Sequence, residues 1–418
     1  MVFFGFRELS PNTRRLLLAR ALRSIGQGAL AVDFALYLRA LHWTGLSIGL
    51  VLTGSGILSA VLSVFLGMSS DRIRRKPFLI GYEILSLFCC VGALLSAEPI
   101  LLTLAAVIGA FGRGAMGAAG PFAPVEQAWL AEEVAPHRRG RVYSLNAAMG
   151  FWGMALGGLI ATLPWRGLLH GAILYRPLFA LAGVTAAANL FLIGRTRESY
   201  RGTARTQEPP KPESARIRSG ENRILAKLVC INGFYGTAIG LTGPLMSYWF
   251  ARRFGVGPME IAPVMASTFA LTGIASLLTG ALTEKIGLVG SVVWTRLGSL
   301  GLLVLLPLMP TYWPAALVYL LRSVSARSAA GAQQALTIGL VRNERRGLAA
   351  SLNTVSFQIP RSIGPAIAGY LFQYDWFSLP FFLGAILQSV YLALYNRTFQ
   401  AYEPPRAREA QKDLPSHP

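Results

Sequence analysis

Charged side chains inside long apolar stretches are the most chemically informative residues of this 418-residue sequence. An arginine or aspartate at the centre of a membrane-spanning helix costs about 2.5–3.5 kcal/mol even on the lenient insertion scale. We therefore expect such charges to face a water-filled cavity or a partner side chain, where they can bind a substrate or carry a proton. The candidates are Asp33, Glu83, Arg113, Arg322, Arg327 and Arg361.

Two of these candidates are carboxylates at different depths. Asp33 lies about 17 residues into its apolar run, roughly 25 Å along a helix that rises 1.5 Å per residue. This places Asp33 in the outer half of the membrane. Glu83 lies only about five residues into its run, where it can pair with the basic residues that precede it. Arg20, Arg23 and Arg296 also lie near the ends of their runs, and we expect them to extend to the membrane interface.

Motifs of enzymes and metal sites are missing from the sequence. Neither G-x-S-x-G nor H-E-x-x-H occurs. The three cysteines include an adjacent pair within an apolar run and offer no disulfide framework. The four histidines lack metal-ligand spacing; they are His42, His137, His170 and His417. We predict a protein that is not an enzyme and that needs no cofactor or metal.

Twelve continuous apolar runs supply the elements that must hold the charges. Apolar residues make up 53% of the chain and charged residues 14%, whereas a soluble domain is about a quarter charged. The runs are long enough to span a bilayer and do not alternate, which indicates helices rather than barrel strands. The sequence therefore predicts an all-α integral membrane protein with twelve transmembrane helices. The runs lie near 16–39, 45–67, 78–96, 100–122, 142–162, 175–194, 224–248, 258–282, 289–309, 314–336, 347–371 and 377–396.

The two halves of the chain repeat each other. R-R-G followed by S-L-N occurs at Arg138 and again 207 residues later at Arg345. G-x-x-x-D-R at Gly67 corresponds to G-x-x-x-E-K at Gly280, 213 residues later. A duplicated apolar chain is typical of two-lobed membrane transporters. We predict a six-helix lobe over 1–195, a cytoplasmic linker over 196–222, a second six-helix lobe over 223–397 and a cytoplasmic tail over 398–418.

The distribution of basic residues predicts the orientation of the chain. The net charge is +20. With the amino terminus inside, inner segments hold 26 lysines and arginines and outer segments hold five. This bias follows the positive-inside rule and predicts a multi-pass protein of the cytoplasmic membrane with both termini in the cytoplasm. The basic residues are spread over many loops that face the lipid bilayer, and we expect no nucleic-acid partner.

The segment between the second and third runs resembles a signature of the major facilitator superfamily. It reads G-M-S-S-D-R-I-R-R-K from Gly67 to Lys76, against the family pattern G-x-x-x-D-R-x-G-R-[RK], with Arg74 in place of the usual glycine. The resemblance implies a cytoplasmic gate, although the cations alone would also serve orientation. The implied gate residues are Gly67, Asp71, Arg72, Arg75, Lys76, Gly280, Glu284 and Lys285.

Other segments are similar to motifs of proton-coupled members of this family. R-G-A-M-G-A-A from Arg113 resembles R-x-x-x-G-x-A-A, with the alanine pair one residue early. It implies that Arg113 and Asp33 take part in proton coupling. G-M-A-L-G-G from Gly153 resembles the antiporter motif G-P-x-x-G-G, with Met154 replacing the proline, while the eleventh run keeps a proline. Small residues in these segments also suit close helix packing; they are Gly153, Gly157 and Gly158, with Gly364 and Pro365 in the eleventh run.

The resemblance implies a secondary transporter that works by alternating access. Cavities in this family are lined mainly by the first, fourth, seventh and tenth spans, which makes Arg322 and Arg327 candidates for the substrate cavity; Arg361 follows a proline in the eleventh span. Four mid-span arginines against two carboxylates predict an anionic or amphiphilic small-molecule substrate, with protons as the coupling ion. A monomer is expected. The alternatives are a multidrug/proton antiporter for lipophilic cations, a uniporter, a symporter and a receptor that does not transport.

Overall fold

The computed structural model describes residues 9–70, 75–112, 123–134, 139–161, 171–198, 214–328, 330–341 and 346–402. Within these ranges the chain forms fifteen α-helices and no strand. Those of the amino-terminal half are α1 (Pro11–Ala40), α2 (Gly45–Ser70), α3 (Arg75–Leu95), α4 (Pro99–Ile108), α5 (Ala123–Glu133), α6 (Arg139–Ile160) and α7 (Arg176–Gly194). Those of the carboxy-terminal half are α8 (Ser214–Thr242), α9 (Met246–Phe254), α10 (Pro258–Ile286), α11 (Leu288–Leu305), α12 (Tyr312–Ser328), α13 (Ala330–Gly339), α14 (Arg346–Gln373) and α15 (Leu379–Phe399).

The helices follow the twelve apolar runs. Two runs are divided into two helices each: α8 and α9 form the seventh, and α12 and α13 the tenth. In the fourth run α4 ends at Ile108 and residues 113–122 lie outside the described residues, while α5 begins just after the predicted end of that run. Seven segments of the described chain are long and apolar enough to cross a membrane by themselves. The other runs are divided or more polar, as in α1, which carries Arg20, Arg23 and Asp33. Those seven segments are Gly45–Ser63, Arg75–Leu95, Gly171–Gly194, Ser219–Thr242, Pro258–Leu277, Leu288–Leu308 and Leu379–Tyr402.

The helix of the seventh run starts before the first apolar residue of that run. Helix α8 begins at Ser214, inside the interval predicted as a linker, and continues into the core residues Ile224 and Leu225. Its first turns are polar, but nothing in 214–223 breaks a helix, because the prolines of this region all precede it. Residues 199–213, which make up more than half of the predicted linker, lie outside the described residues.

Helices pack within each half of the chain and also across the two halves. In the amino-terminal lobe α1 packs on α6 and α7, and in the carboxy-terminal lobe α8 packs on α14 and α15. Between the lobes, α2 packs on α14 and α6 packs on α10. Small residues make these contacts between the lobes possible, since a Cβ added at Gly49 of α2 would overlap the carbonyl of Pro365 in α14.

The hydrophobic core is shared at one end of the bundle and divided at the other. We call the end where α1 begins and α15 ends the terminal end, and the opposite end the distal end. The largest apolar cluster lies toward the distal end and includes residues of both lobes, with Phe34 of α1 and Trp249 of α9 among them. At the terminal end each lobe has its own cluster, around Trp129 in one and Tyr395 in the other. Apolar packing therefore joins the lobes at the distal end.

Candidate functional site

A buried ion cluster joins helices of the amino-terminal lobe. Arg23 of α1 donates from Nε to Glu83 Oε1 at 2.6 Å and from Nη1 to Glu126 Oε2 at 2.8 Å. Asn189 of α7 donates to the same Glu83 oxygen at 2.7 Å. All four side chains are buried. Removing one charge from such a cluster leaves the others uncompensated inside the lobe.

The position of this cluster corrects two expectations from the sequence. Glu83 pairs with Arg23, whereas the described basic residues Arg75 and Lys76 contact other partners, and Arg23 does not reach the interface. Arg20 is also buried, with its guanidinium against α6, where a Cβ added at Gly150 would lie 2.8 Å from Arg20 Nε. The missing side chain of Gly150 provides the space, and partners on other helices make burial of Arg23 possible. Neither feature is visible in a linear sequence.

Asp33 is completely buried in α1. It lies two helical turns beyond Gly26, whose Cα faces Ala182 and Thr185 of α7. Residues seven apart share one face of a helix, so Asp33 lies on the side of α1 that packs against α7. This places a titratable group inside the amino-terminal lobe.

Two arginines of α12 are candidates for the substrate cavity, and one of them reaches the other lobe. Arg322 is buried and donates from Nη2 to Thr242 Oγ1 of α8 at 3.0 Å. The guanidinium of Arg327 lies 5.0 Å from the ring centroid of Phe151, which belongs to α6 of the other lobe. Within the described residues, Arg322 Nε and Arg327 Nη1 are buried and have no hydrogen-bond partner. No carboxylate of these residues forms an ion pair with either side chain.

Arg361 lies at a close contact between α14 and α8. A Cβ at Gly240 would overlap the carbonyl of Arg361, and one at Gly364 would overlap the backbone of Gly240. The next turn of α14 packs on the other lobe, where Thr53 Oγ1 accepts from the N–H of Ala366 at 3.1 Å. The α14 backbone around Arg361 therefore packs against α8 on one side and against α2 of the other lobe on the other.

Arg296 forms a second buried cationic site that the sequence did not reveal. Its guanidinium lies 3.7 Å from the ring centroid of Tyr235 and 4.8 Å from that of Tyr391, and it donates to Gln333 Oε1. We expected Arg296 to extend to the interface, and this expectation is wrong. Two tyrosine faces and an amide oxygen receive the cation inside the lobe. Its partners Tyr235, Tyr391 and Gln333 lie in three separate runs, so no local sequence pattern indicated that they would meet Arg296.

The basic residues at the start of α3 contact the end of α7. Arg75 forms an ion pair with Glu132 of α5 at 2.5 Å, and Lys76 Nζ donates to the carbonyl of Gly194 at 2.7 Å. The carboxylate of Glu198 accepts from the backbone N–H groups of Arg75 and Lys76, at 2.7 and 3.2 Å, and so caps α3. These contacts hold the start of the interlobe connection against the amino-terminal lobe.

Several residues predicted for the gate and for proton coupling lie outside the described part of the chain. The segment with Asp71 and Arg72 lies outside the described residues, as does Arg113. In α2 and α10 the helices are described, but their side chains near the terminal end are not; this applies to Gly67, Gly280, Glu284 and Lys285.

The glycine motif of α6 lies against α1 and α10. A Cβ at Gly153 would overlap the carbonyl of Ala21, and one at Gly157 would overlap that of Ile25. Gly158 faces the other lobe, where an added Cβ would lie 3.4 Å from Ala266 Cβ. Gly153 and Gly157 therefore lie where two helix backbones approach closely, and Gly158 makes ordinary van der Waals contact with the other lobe.

Comparison with known families decides the class of protein. The family model described as Major Facilitator Superfamily matches residues 16–227 and again residues 228–417. The chain belongs to the Major Facilitator Superfamily. The two matches correspond to the two halves of the internal repeat. Membership makes the chain a multi-pass membrane protein with the two-lobed fold, and a secondary transporter rather than an enzyme.

Curated relatives of this facilitator include proteins named for drug resistance. Multidrug resistance protein MdtG of Enterobacter lignolyticus is 25% identical over 394 residues, which is 90% of each chain. Multidrug resistance protein MdtH of Edwardsiella ictaluri is 27% identical over 208 residues. The second match covers 48% of this chain and 46% of the relative, so the chain spans less than half the length of MdtH.

Solved structures with the same fold include transporters of different solutes. A mutant form of the nucleoside transporter NupG aligns with a TM-score of 0.71 at 12% identity and covers 93% of this chain and 99% of its own. A bacterial homologue of the lysosomal transporter Spinster, inward-facing and occupied, aligns with a TM-score of 0.71 at 17% identity, over 95% and 100%. The D-xylose-proton symporter gives 0.70 at 14% identity, over 94% and 98%. At these identities the likeness establishes the fold of the facilitator.

Proposed function

We propose that this facilitator exports amphiphilic organic anions across the cytoplasmic membrane in exchange for protons. The observation that carries the proposal is the pair of arginines on α12. Arg322 and Arg327 are separated by five residues, or about 7.5 Å along the helix axis. Each has a buried N–H without a hydrogen-bond acceptor among the described residues, so a substrate carboxylate would supply the missing acceptor.

The two lobes differ in the balance of their buried charges, which supports this assignment. Among the described residues, the amino-terminal lobe buries the three carboxylates of Asp33, Glu83 and Glu126 with the two guanidinium groups of Arg20 and Arg23. The carboxy-terminal lobe buries Arg296 and Arg322, with Glu221 in the first turns of α8 as its buried carboxylate. Surplus positive charge on one wall of a cavity concentrates anions and repels lipophilic cations. Phe151, against the Arg327 guanidinium, would offer an aromatic surface to the apolar part of the substrate.

The second candidate is a multidrug antiporter for lipophilic cations. The names of MdtG and MdtH favour it and also favour export as the direction. The arginines of α12 argue against a cationic substrate. Thermal-shift measurements on the purified protein separate the two candidates, because a ligand that binds only the folded state raises its stability. Aromatic carboxylates should raise the melting temperature, and tetraphenylphosphonium should not; the reverse pattern would establish the multidrug function.

Alternating access relates this function to the shape of the bundle. With both termini in the cytoplasm, the distal end is the outer end. The apolar cluster shared by the two lobes then closes the outer side, and the separate clusters at the terminal end leave each lobe free to move there. This corresponds to a state in which the central site opens to the cytoplasm, and rocking of the lobes would reverse it.

The orientation can be tested with single cysteines. In a background without Cys89, Cys90 and Cys230, a cysteine at Arg166 should react with a membrane-impermeant maleimide in intact cells, and one at Arg218 should react only after lysis. The reason is the bias of basic residues toward the predicted inner segments. Labelling of both positions from outside would contradict the orientation.

The gate assignment predicts a kinetic effect of Asp71→Asn. The substitution should lower the maximal transport rate far more than the affinity for substrate, because the family resemblance assigns Asp71 to the cytoplasmic gate and not to the substrate cavity. Initial rates in proteoliposomes over a range of substrate concentrations measure the two quantities separately. Asp71→Glu, which keeps the charge, is the matched control. An unchanged maximal rate in Asp71→Asn would remove the gate function.

A further inference from the structure

A small polar cavity lies inside the amino-terminal lobe beside Glu83. Its volume is about 30 Å³, and its lining includes Gln27 of α1, Glu83 and Ser86 of α3, and Thr185 of α7. One water molecule needs a cavity of roughly 10–15 Å³ and two to four polar partners. The cavity satisfies both conditions, so it can hold water next to a buried carboxylate.

The fourth span is interrupted where it lines this cavity. Helix α4 ends at Ile108, and the chain then turns through Ala110 and Gly112, whose φ angles are 59° and 65°. Backbone that leaves helical geometry at membrane depth is tolerated only where it is enclosed by protein or lines a water-filled space. The interruption is an independent indication that this part of the fourth span is enclosed by protein or lines water and does not face lipid.

The hydrogen bonds of Glu83 leave one of its oxygens for the cavity. Among the described residues, both side chains that donate to Glu83, Arg23 from Nε and Asn189 from Nδ2, contact Oε1. Oε2 is thus the atom that can exchange a proton with cavity water. Arg23 also binds Glu126, so it keeps a carboxylate partner when Glu83 is neutral. This arrangement explains why one arginine is shared between two buried acids, since a lone buried cation would be costly.

We propose that Glu83 is a second proton-binding group of this transporter, served by water in the cavity and separate from Asp33. The inference rests on the proposed proton coupling. A hydrated proton in the cavity would protonate Glu83 Oε2, and deprotonation would return it to cavity water. Arg23, the residue that holds Glu83, lies ten residues before Asp33, or about 15 Å along α1. The two acids therefore lie at different depths in the lobe.

The proton affinity of Glu83 depends on the groups that face it. With both carboxylates ionised and both arginines charged, the four-residue cluster of Arg20, Arg23, Glu83 and Glu126 is neutral; protonation of Glu83 adds one positive charge. Asn189 of α7 adds a neutral donor. The charged and titratable groups that interact with the cluster from the described helices are Arg20 and Arg23 on α1, Tyr82 and Cys90 on α3, and Glu126 on α5.

Infrared spectroscopy of the purified protein in lipid films tests the proposal without a substrate. Protonated carboxylic acids absorb at a carbonyl frequency distinct from that of carboxylates. A pH titration of the wild-type protein should show a band of a buried protonated acid that persists in Asp33→Asn and disappears in Glu83→Gln. Ser86→Ala, which removes a polar cavity wall and keeps the ion pair, should shift this band without removing it.

Glu132→Gln is the matched control for the spectra. Glu132 is a partly exposed acid on the same lobe, paired with Arg75, and its substitution should leave the band in place. If Glu83→Gln does not fold, the shift of the infrared band in Ser86→Ala tests the proposal in its place. A band that neither variant alters, or the absence of any band outside Asp33, would show that Glu83 is a permanently ionised structural residue. Proton-driven transport that survives Asp33→Asn would instead contradict the proposed coupling residue, and would leave the Glu83 result unaffected.

Discussion

Asp33→Asn is expected to abolish uphill accumulation driven by a pH gradient and to leave exchange of substrate across the membrane measurable. Asparagine cannot bind and release a proton, and Asp33 is completely buried in the first span. Exchange returns the carrier in the loaded state and needs no net proton movement. Each charge moved across 100 mV contributes about 2.3 kcal/mol, so loss of one proton removes a large driving force. Proteoliposomes with an imposed pH gradient measure accumulation, and counterflow in the same vesicles measures exchange.

A matched control for this experiment is Asp375→Asn. Asp375 is an exposed acid at the distal end that pairs with Arg252 at 2.6 Å, and its loss should leave accumulation intact. Accumulation that persists in Asp33→Asn would move the coupling function to another acid, with Glu83 first. Loss of both accumulation and exchange would point to a structural defect, which the melting temperature of the variant would reveal.

Arg322→Gln and Arg327→Gln are each expected to weaken binding of an organic anion at least severalfold while expression stays intact. A hydrogen bond to a charged group contributes about 1.5–3 kcal/mol to binding, because the anion and the guanidinium are both withdrawn from water. Glutamine keeps an N–H donor and removes the charge. Titration calorimetry or the ligand-dependent melting temperature, with an aromatic carboxylate as probe, measures the effect.

Arg252→Gln is the corresponding control at the distal end. Arg252 is partly exposed and already paired with Asp375, so its loss should not change anion affinity. Anion binding that is equally strong in both α12 variants would remove the arginines from the site. Stabilisation by lipophilic cations, with no response to organic anions, would make a multidrug exporter the better description.

Periodic and repeated features of the sequence were sufficient to predict the architecture. Continuous apolar runs predicted the helices, and the repeats at Arg138 and Arg345 predicted two related lobes, because a spanning helix and a duplicated unit are each encoded in local composition. The family match confirmed the class of transporter. The glycines at 153 and 157 were associated with helix packing for the same local reason.

Which buried charges meet was decided only by the tertiary structure. Arg23 and Glu83 are 60 residues apart, and their pairing with Glu126 depends on how α1, α3 and α5 pack. The sequence indicated that each charge needs a partner or a cavity, which is a property of a single side chain in lipid. It could not indicate which partner, because that depends on the rotation of every helix about its axis and on small residues such as Gly150 that make room for a guanidinium.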